Sequence, residues 1–184
     1  MSIHETLGAD LRSLRKNRQL TLEAVASKLG KSVGWVSQVE RGLSHPDARD
    51  LTTFAKLYRV PKSLFSPGEE VPREAGRIVR TESRRAIGER MPGLIEELLS
   101  PDLTDDFEVV HSTFLPGSQR RIAADRPTQE LAVMLSGKLD IWLGDEAFTV
   151  AAGDSFRIRD EGLRWANPYD QPAIAVWVIA PPVY

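Results

Sequence analysis

Cysteine is absent from the 184 residues. A disulfide scaffold, a cysteine nucleophile and a thiolate metal site are therefore excluded together. Histidine is scarce, at His4, His45 and His111 only. No apolar run approaches the roughly 20 residues that cross a bilayer. The opening Met1-Ser2-Ile3-His4-Glu5 lacks the basic-then-apolar layout of a secretory leader. These absences lead us to expect a soluble, cytoplasmic protein with no membrane partner. What is present is ordinary for a globular chain, 41% hydrophobic and 27% charged positions. The length allows one large domain or two small ones.

The net charge of −2 conceals an asymmetry. Residues 1–90 hold 17 Lys+Arg against 11 Asp+Glu, and residues 91–184 hold 7 against 15. A basic front half joined to an acidic back half points to two domains, the first suited to a polyanion.

The first 65 residues read as short helices. Ile3, Leu7, Leu11 and Leu14 form one apolar stripe at helical period, closed by Arg15-Lys16-Asn17-Arg18-Gln19. Thr21 suits the N-cap of a second helix, with Leu22, Val25, Ala26 and Leu29 inward and Gly30 as terminator. Ser32 suits the cap of a third, SVGWVSQVERG, and Asp47 or Asp50 opens a fourth through Leu51, Phe54, Ala55 and Leu57. Pro61 starts a last turn with Leu64 and Phe65 as its apolar side. Helices this short do not persist alone, so they must share a core.

Between Ser66 and Gly76, prolines, glycines and glutamates mark a linker. Beyond it the period changes to alternation. Candidate strands are Arg77–Thr81, Leu94–Leu99, Phe107–Leu115, Glu130–Leu135, Lys138–Leu143, Ala147–Val150, Ser155–Arg159 and Ala173–Ile179. Short strands punctuated by glycine and proline indicate an all-β sandwich or barrel. The expected organisation is an all-α domain over 1–66, a linker over 67–76 and an all-β domain over 77–184 with its core at about 107–181.

The string LRSLRKNRQLTLEAVASKLGKSVGWVSQVERG, with the tail PDARDLTTFAKLYRVPKSLF, resembles the Xre-like helix-turn-helix of phage repressors and bacterial regulators. The resemblance implies a lambda-repressor-like fold whose third helix reads double-stranded DNA. Ser32 at its N-terminus suits a phosphate oxygen, and Val33, Gly34, Ser37 and Gln38 lie towards base edges. A glycine inside a helix costs about 1 kcal/mol relative to alanine. Gly34 is thus explained either by close approach to DNA or by close packing on a neighbouring helix. Trp35 either meets the sugar-phosphate backbone or lies on the domain's own surface. Lys31, Arg41 and Arg49 are candidate phosphate contacts. Arg15 and Glu40 match the positions of a structural ion pair in this family.

From Pro116, the string PGSQRRIAADRPTQELAVMLSGKLDIWL, then Gly153-Asp154 and Arg164-Trp165-Ala166-Asn167-Pro168, resembles a cupin, a jelly-roll barrel. Metal-binding cupins place a His-x-His pair before the glutamate that aligns with Glu130, and another histidine just before the Arg-Trp dipeptide. Here those positions hold Ala124 and Arg126 (or Ala123 and Asp125) and Leu163. One carboxylate without imidazoles cannot hold a catalytic metal. We therefore expect no metal, no cofactor, no catalytic residue and no enzymatic activity. The barrel is left as an effector site, with Arg126, Glu130, Met134, Trp165, Asn167 and Trp177 as candidate contacts to a small carboxylate or zwitterionic molecule.

The combination resembles a class of prokaryotic transcriptional regulators in which the cupin senses a metabolite and dimerises. It implies a homodimer on a palindromic operator, with Arg77–Leu99 as edge strands near the dimer interface. Two other readings remain open: a metalloenzyme of the same layout, similar to helix-turn-helix–cupin epoxidases, and a ligand-independent repressor using the cupin only to dimerise.

Overall fold

Four side chains set the helical boundaries at the front of the chain. In the computed structural model, residues 3–65, 74, 76–87, 91–124 and 127–182 are described, those of 3–5 and 124 without their side chains. The helices are α1 (Ile3–Asn17), α2 (Leu22–Leu29), α3 (Val33–Glu40) and α4 (Ala48–Tyr58). The Thr21 hydroxyl oxygen accepts from the Ala24 N–H at 3.2 Å, and Gly30 ends α2 in a left-handed conformation. Ser32 caps α3 in the same way, accepting from the Trp35 N–H at 3.1 Å. Asp47 and Asp50 cap α4 reciprocally, a capping box.

The helices share a dry core of Leu11, Leu14, Val25, Val36, Phe54 and Tyr58, each at most 1% exposed. Each such aliphatic side chain contributes roughly 1.5–3 kcal/mol by leaving water. Gly8 lets α1 approach the end of α3: a Cβ there would lie 2.6 Å from the Val39 carbonyl oxygen. No larger residue fits.

The chain forms two compact units, and they do not divide at the expected 76/77 boundary. One unit runs through Arg85 and takes in Ser100–Asp105; the other holds Ala86–Leu99 and the chain from Asp106 onward. The reason is a buried charge. The Arg85 Nη1 donates to Asp10 Oδ2 at 2.6 Å and to the Leu64 carbonyl at 3.0 Å, and its Nη2 donates to the Pro101 carbonyl at 3.0 Å. The Leu103 N–H donates to the other oxygen, Asp10 Oδ1, at 2.6 Å. Asp10 and Leu103 are 1% and 0% exposed. Burial pushes the Asp10 carboxyl up to about 6, against the lowering effect of Arg85 and the Leu103 N–H. Most of the expected linker lies outside the described residues.

The second unit is a two-sheet β-structure. The strands, all in that unit but for Arg85, are β1 (Arg85–Ala86), β2 (Leu94–Leu98), β3 (Glu108–Phe114), β4 (Gln119–Ala124), β5 (Gln129–Ser136), β6 (Lys138–Leu143), β7 (Glu146–Ala151), β8 (Ser155–Arg159), β9 (Leu163–Ala166) and β10 (Ala173–Ala180). The larger sheet has the order β1-β2-β3-β10-β5-β8 and the smaller β4-β9-β6-β7. Inward side chains alternate along β3, β8, β9 and β10, and Phe114 meets Trp165 edge-on at 4.7 Å between the two sheets.

Arg77–Thr81, expected as a strand, is not one. The N–H groups of Arg77 and Ile78 donate to the Glu74 carbonyl at 2.9 and 3.0 Å, which closes a local turn. Arg80 then pairs with Glu74 at 2.6 Å, and Thr81–Ser83 form a short 3-10 turn. Among the described residues of Arg77–Leu99, expected to lie near a dimer interface, strands occur at β1 and β2. Strands β1, β4 and β9 are additional to the candidate strands of the sequence.

Candidate functional site

Helix α3 has two unlike faces. Val36 and Val39 are buried in the helical core, whereas Val33, Gly34 and Gln38 are exposed and Trp35 and Ser37 half-buried. A Cβ built on Gly34 would find only the Ser32 Oγ, at 3.9 Å. The packing explanation of Gly34 is thereby overturned; the close-packing glycine of this unit is Gly8. The Ser44 hydroxyl donates to Gln38 Oε1 at 3.0 Å and steers that side chain at the surface.

Two neighbours of this face are tied down. The Lys31 Nζ lies 3.1 Å from Asp50 Oδ1 and 4.6 Å from the centre of the Trp35 ring. Its charge is already countered by a buried carboxylate, and its ammonium sits over the indole. The Arg41 Nε donates to the Ser37 carbonyl at 3.2 Å, along the exposed end of the helix. Arg49 is exposed in the first turn of α4. Behind the helix, Arg15 donates through Nε and Nη2 to Glu40 Oε1 and Oε2 at 2.6 and 2.9 Å. Its Nη1 donates to the Leu20 carbonyl at 3.0 Å, so one guanidinium ties α1, the turn and the end of α3 together.

The second unit keeps a cavity of about 50 Å³ between its sheets. Of the expected contacts, Glu130, Trp165 and Trp177 line it. Met134 is buried in the apolar core and is not among the lining residues. Asn167 is 0% exposed and belongs to the scaffold. Its Nδ2 donates to the carbonyls of Phe114 and Gln171 at 2.8 and 3.0 Å, and its Oδ1 accepts from the Tyr169 N–H at 3.1 Å. With every polar atom engaged, Asn167 holds a corner and is no ligand contact. Arg126 lies outside the described residues.

The cavity also contains Glu96, Ser112, Arg120, Thr128 and Glu161, which the sequence reading passed over. Three of them were findable. Glu96 shares the inward phase of Leu94 and Leu98, Ser112 that of Val110 and Phe114, and Arg120 sits opposite Trp165 in the register. A polar residue at an inward position of an apolar alternation is the signal. The Thr128 hydroxyl donates to Glu130 Oε1 at 2.9 Å, and the Ser112 hydroxyl lies 3.5 Å from Glu96 Oε1.

The metal of a metal-binding cupin does not fit these residues. Leu163 lines the cavity as a buried apolar side chain where that motif has histidine. Among the described residues no group of three His, Cys, Asp or Glu side chains converges on one point. His111 lies on the other face of β3, with Nδ1 at 3.7 Å from Glu97 Oε2.

On that outer face of the larger sheet, Ile95, Leu131, Val133, Leu135 and Val178 are all exposed. The register sets Val178 beside Leu131 and Val176 beside Val133, so the apolar positions run across adjacent strands.

Comparison with known proteins finds two families along the chain. A helix-turn-helix domain model matches residues 6–66 and a cupin domain model residues 110–179. The transcriptional regulator ClgR of Mycobacterium tuberculosis is 27% identical over 101 residues, which cover 54% of this chain and 90% of that protein. An RmlC-like cupin from Shewanella frigidimarina has the same fold, with a TM-score of 0.50 and 15% identity over 58% of this chain and 91% of its own. An HTH_3 family transcriptional regulator from Vibrio cholerae covers 98% of both chains at 21% identity, with a TM-score of 0.44. No described helix is long and apolar enough to cross a membrane.

Proposed function

For this helix-turn-helix transcriptional regulator with a cupin domain, we propose that it binds a palindromic DNA operator as a homodimer, and that a small molecule in a metal-free barrel modulates this binding. The observation that carries the reading is the outward face of α3. Val33, Gly34 and Gln38 are exposed there, while capping, burial and the Arg15–Glu40 pair hold the opposite side. Val33 packs on a thymine methyl, Gln38 pairs with an adenine edge, and bare Gly34 lets the backbone come close. Ser37 borders this face; Ser32 and Arg41 meet phosphates, and Trp35 with Lys31 forms the flank beside the sugar-phosphate backbone.

One recognition helix reads only a few base pairs, so specificity requires two copies about 34 Å apart. The exposed apolar face around Leu131, Val133 and Val178 suits the contact between two barrels. The donor set argues for binding rather than turnover, since Leu163 replaces an imidazole in the cavity. We place the protein in the cytoplasm, with its DNA. Operator selection from a random DNA pool, followed by gel shifts of wild type and Gln38→Ala, tests the reading. The expected result is a palindromic site and a loss of specific affinity of about tenfold or more with unchanged non-specific binding. Equal binding of both proteins to all sequences would refute it.

A further inference from the structure

The outer face of the smaller sheet holds a groove of about 300 Å³. Trp142 and Arg164 are register partners across β6 and β9, and Gln119 and Ala166 across β4 and β9. Along β9, Leu163 and Trp165 are buried and Arg164 and Ala166 half-buried, so the latter two take the outward phase. Gln119, Arg121, Trp142, Arg164 and Ala166 line the groove, while Arg120 and Trp165 border both it and the barrel cavity. We propose that this groove is a ligand site of its own for a small aromatic carboxylate, its anion between Arg121 and Arg164 and its ring against Trp142. The assignment goes beyond the barrel cavity and holds whether or not that cavity takes an effector.

Three observations support it. The first is how the two guanidiniums are held. The Arg164 Nη2 donates to the Gly144 carbonyl at 2.9 Å, and the Arg121 Nε donates to Gln119 Oε1 at 3.1 Å. Both acceptors are neutral, so these bonds orient the side chains without countering their charge and leave most of their N–H donors for a planar anion. Second, among the described residues no carboxylate lines the groove. Asp140, which shares the outward phase of Trp142, accepts instead from the hydroxyls of Thr149 and Tyr169, each at 2.8 Å. Third, the Arg164 guanidinium carbon lies 5.9 Å from the centre of the Trp142 ring. A cation beside an apolar plane matches a molecule that carries its charge next to a flat ring. The volume is at the lower end of the roughly 300–1,000 Å³ of small-molecule sites, which suits a single-ring compound.

The test is calorimetric titration of the full-length protein at low salt with benzoate, its neutral isostere benzamide, and acetate, which has the charge without the ring. Benzoate should bind about tenfold or more tighter than either of the others. Arg164→Gln should weaken benzoate binding about tenfold. Arg121→Gln should weaken it as well, and its exposed position guards against a misfolded Arg164 variant. Equal affinity for benzoate and benzamide would overturn the recognition of charge, and equal affinity for benzoate and acetate that of the ring. Undiminished benzoate binding in both variants would place the ligand elsewhere and overturn the site. No benzoate binding to wild type would overturn it outright. None of these outcomes bears on operator selection, which is read separately.

Discussion

The head and the barrel are built inside out with respect to each other. In the head, the polar groups proposed to meet DNA stand outward on α3, and the charges drawn inside are paired, Arg15 with Glu40, Arg85 with Asp10 and Lys31 with Asp50. In the barrel, polar side chains line the cavity, and the outer face of the larger sheet exposes Ile95, Leu131, Val133, Leu135 and Val178. Under the proposed function, the difference follows from the partners. A polyanion is met at a surface, where its counterions are released. A small guest must be enclosed, and a second protein copy is joined most readily by apolar surface. Charge therefore serves as support inside the head, whereas in the barrel it lines the cavity that the proposed function assigns to an effector.

That contrast can be broken most severely at Arg85. Arg85→Ala leaves Asp10 buried without its counter-charge and should cost about 3–5 kcal/mol, read by chemical denaturation. A cost under 1 kcal/mol would show the pair to be ornamental. The acid side of the same pair gives a pH signature. The folded-state value of Asp10 is raised from 3.8 to about 6, so its stabilising contribution is full below pH 4 and lost as pH rises through 6. Between pH 4 and pH 7, wild type should lose about 3 kcal/mol more stability than Asp10→Asn, measured by denaturant melts across that range.

Smaller effects sharpen the comparison. Gln38→Ala should weaken operator binding by about 1–3 kcal/mol yet shift the melting temperature by no more than a surface substitution does. Tyr58 offers the converse, since its hydroxyl is buried without a hydrogen-bond partner. Tyr58→Phe should be neutral or stabilise the head by up to about 1 kcal/mol, with DNA binding unchanged. Glu130→Gln completes the series with a stability change within about 1 kcal/mol of zero, because glutamine still accepts from Thr128. A large loss there would make the cavity's glutamates supports, like those of the head.

The helical half was legible because its signals are local. Thr21, Ser32 and Asp47 cap the helices that their positions announce, and Gly30 ends one. The alternating strands were legible for the same reason. Strand β4 escaped because Gln119-Arg120-Arg121 reads as a polar loop until an opposing strand gives Arg120 an inward phase. Strand β9 spans four residues, and the alternation of Leu163 and Trp165 is the one mark of it. The two glycines carry the same lesson: Gly34 drew notice inside the recognition helix, yet the tight contact belongs to Gly8, set by a chain segment some thirty residues away. Asn167 shared the phase of Leu163 and Trp165, but its amide closes a corner that no periodicity predicts.

The return of Ser100–Asp105 to the first unit bears on how such proteins can be recombined. Heads and barrels are commonly thought of as beads that gene fusion restrings at a linker. Here the first bead is stitched by a thread drawn from within the second. A head cut after residue 66 loses both Arg85 and Leu103, and Asp10 is stranded. Any exchange of barrels must carry the stitch across, as two separate stretches of sequence rather than one.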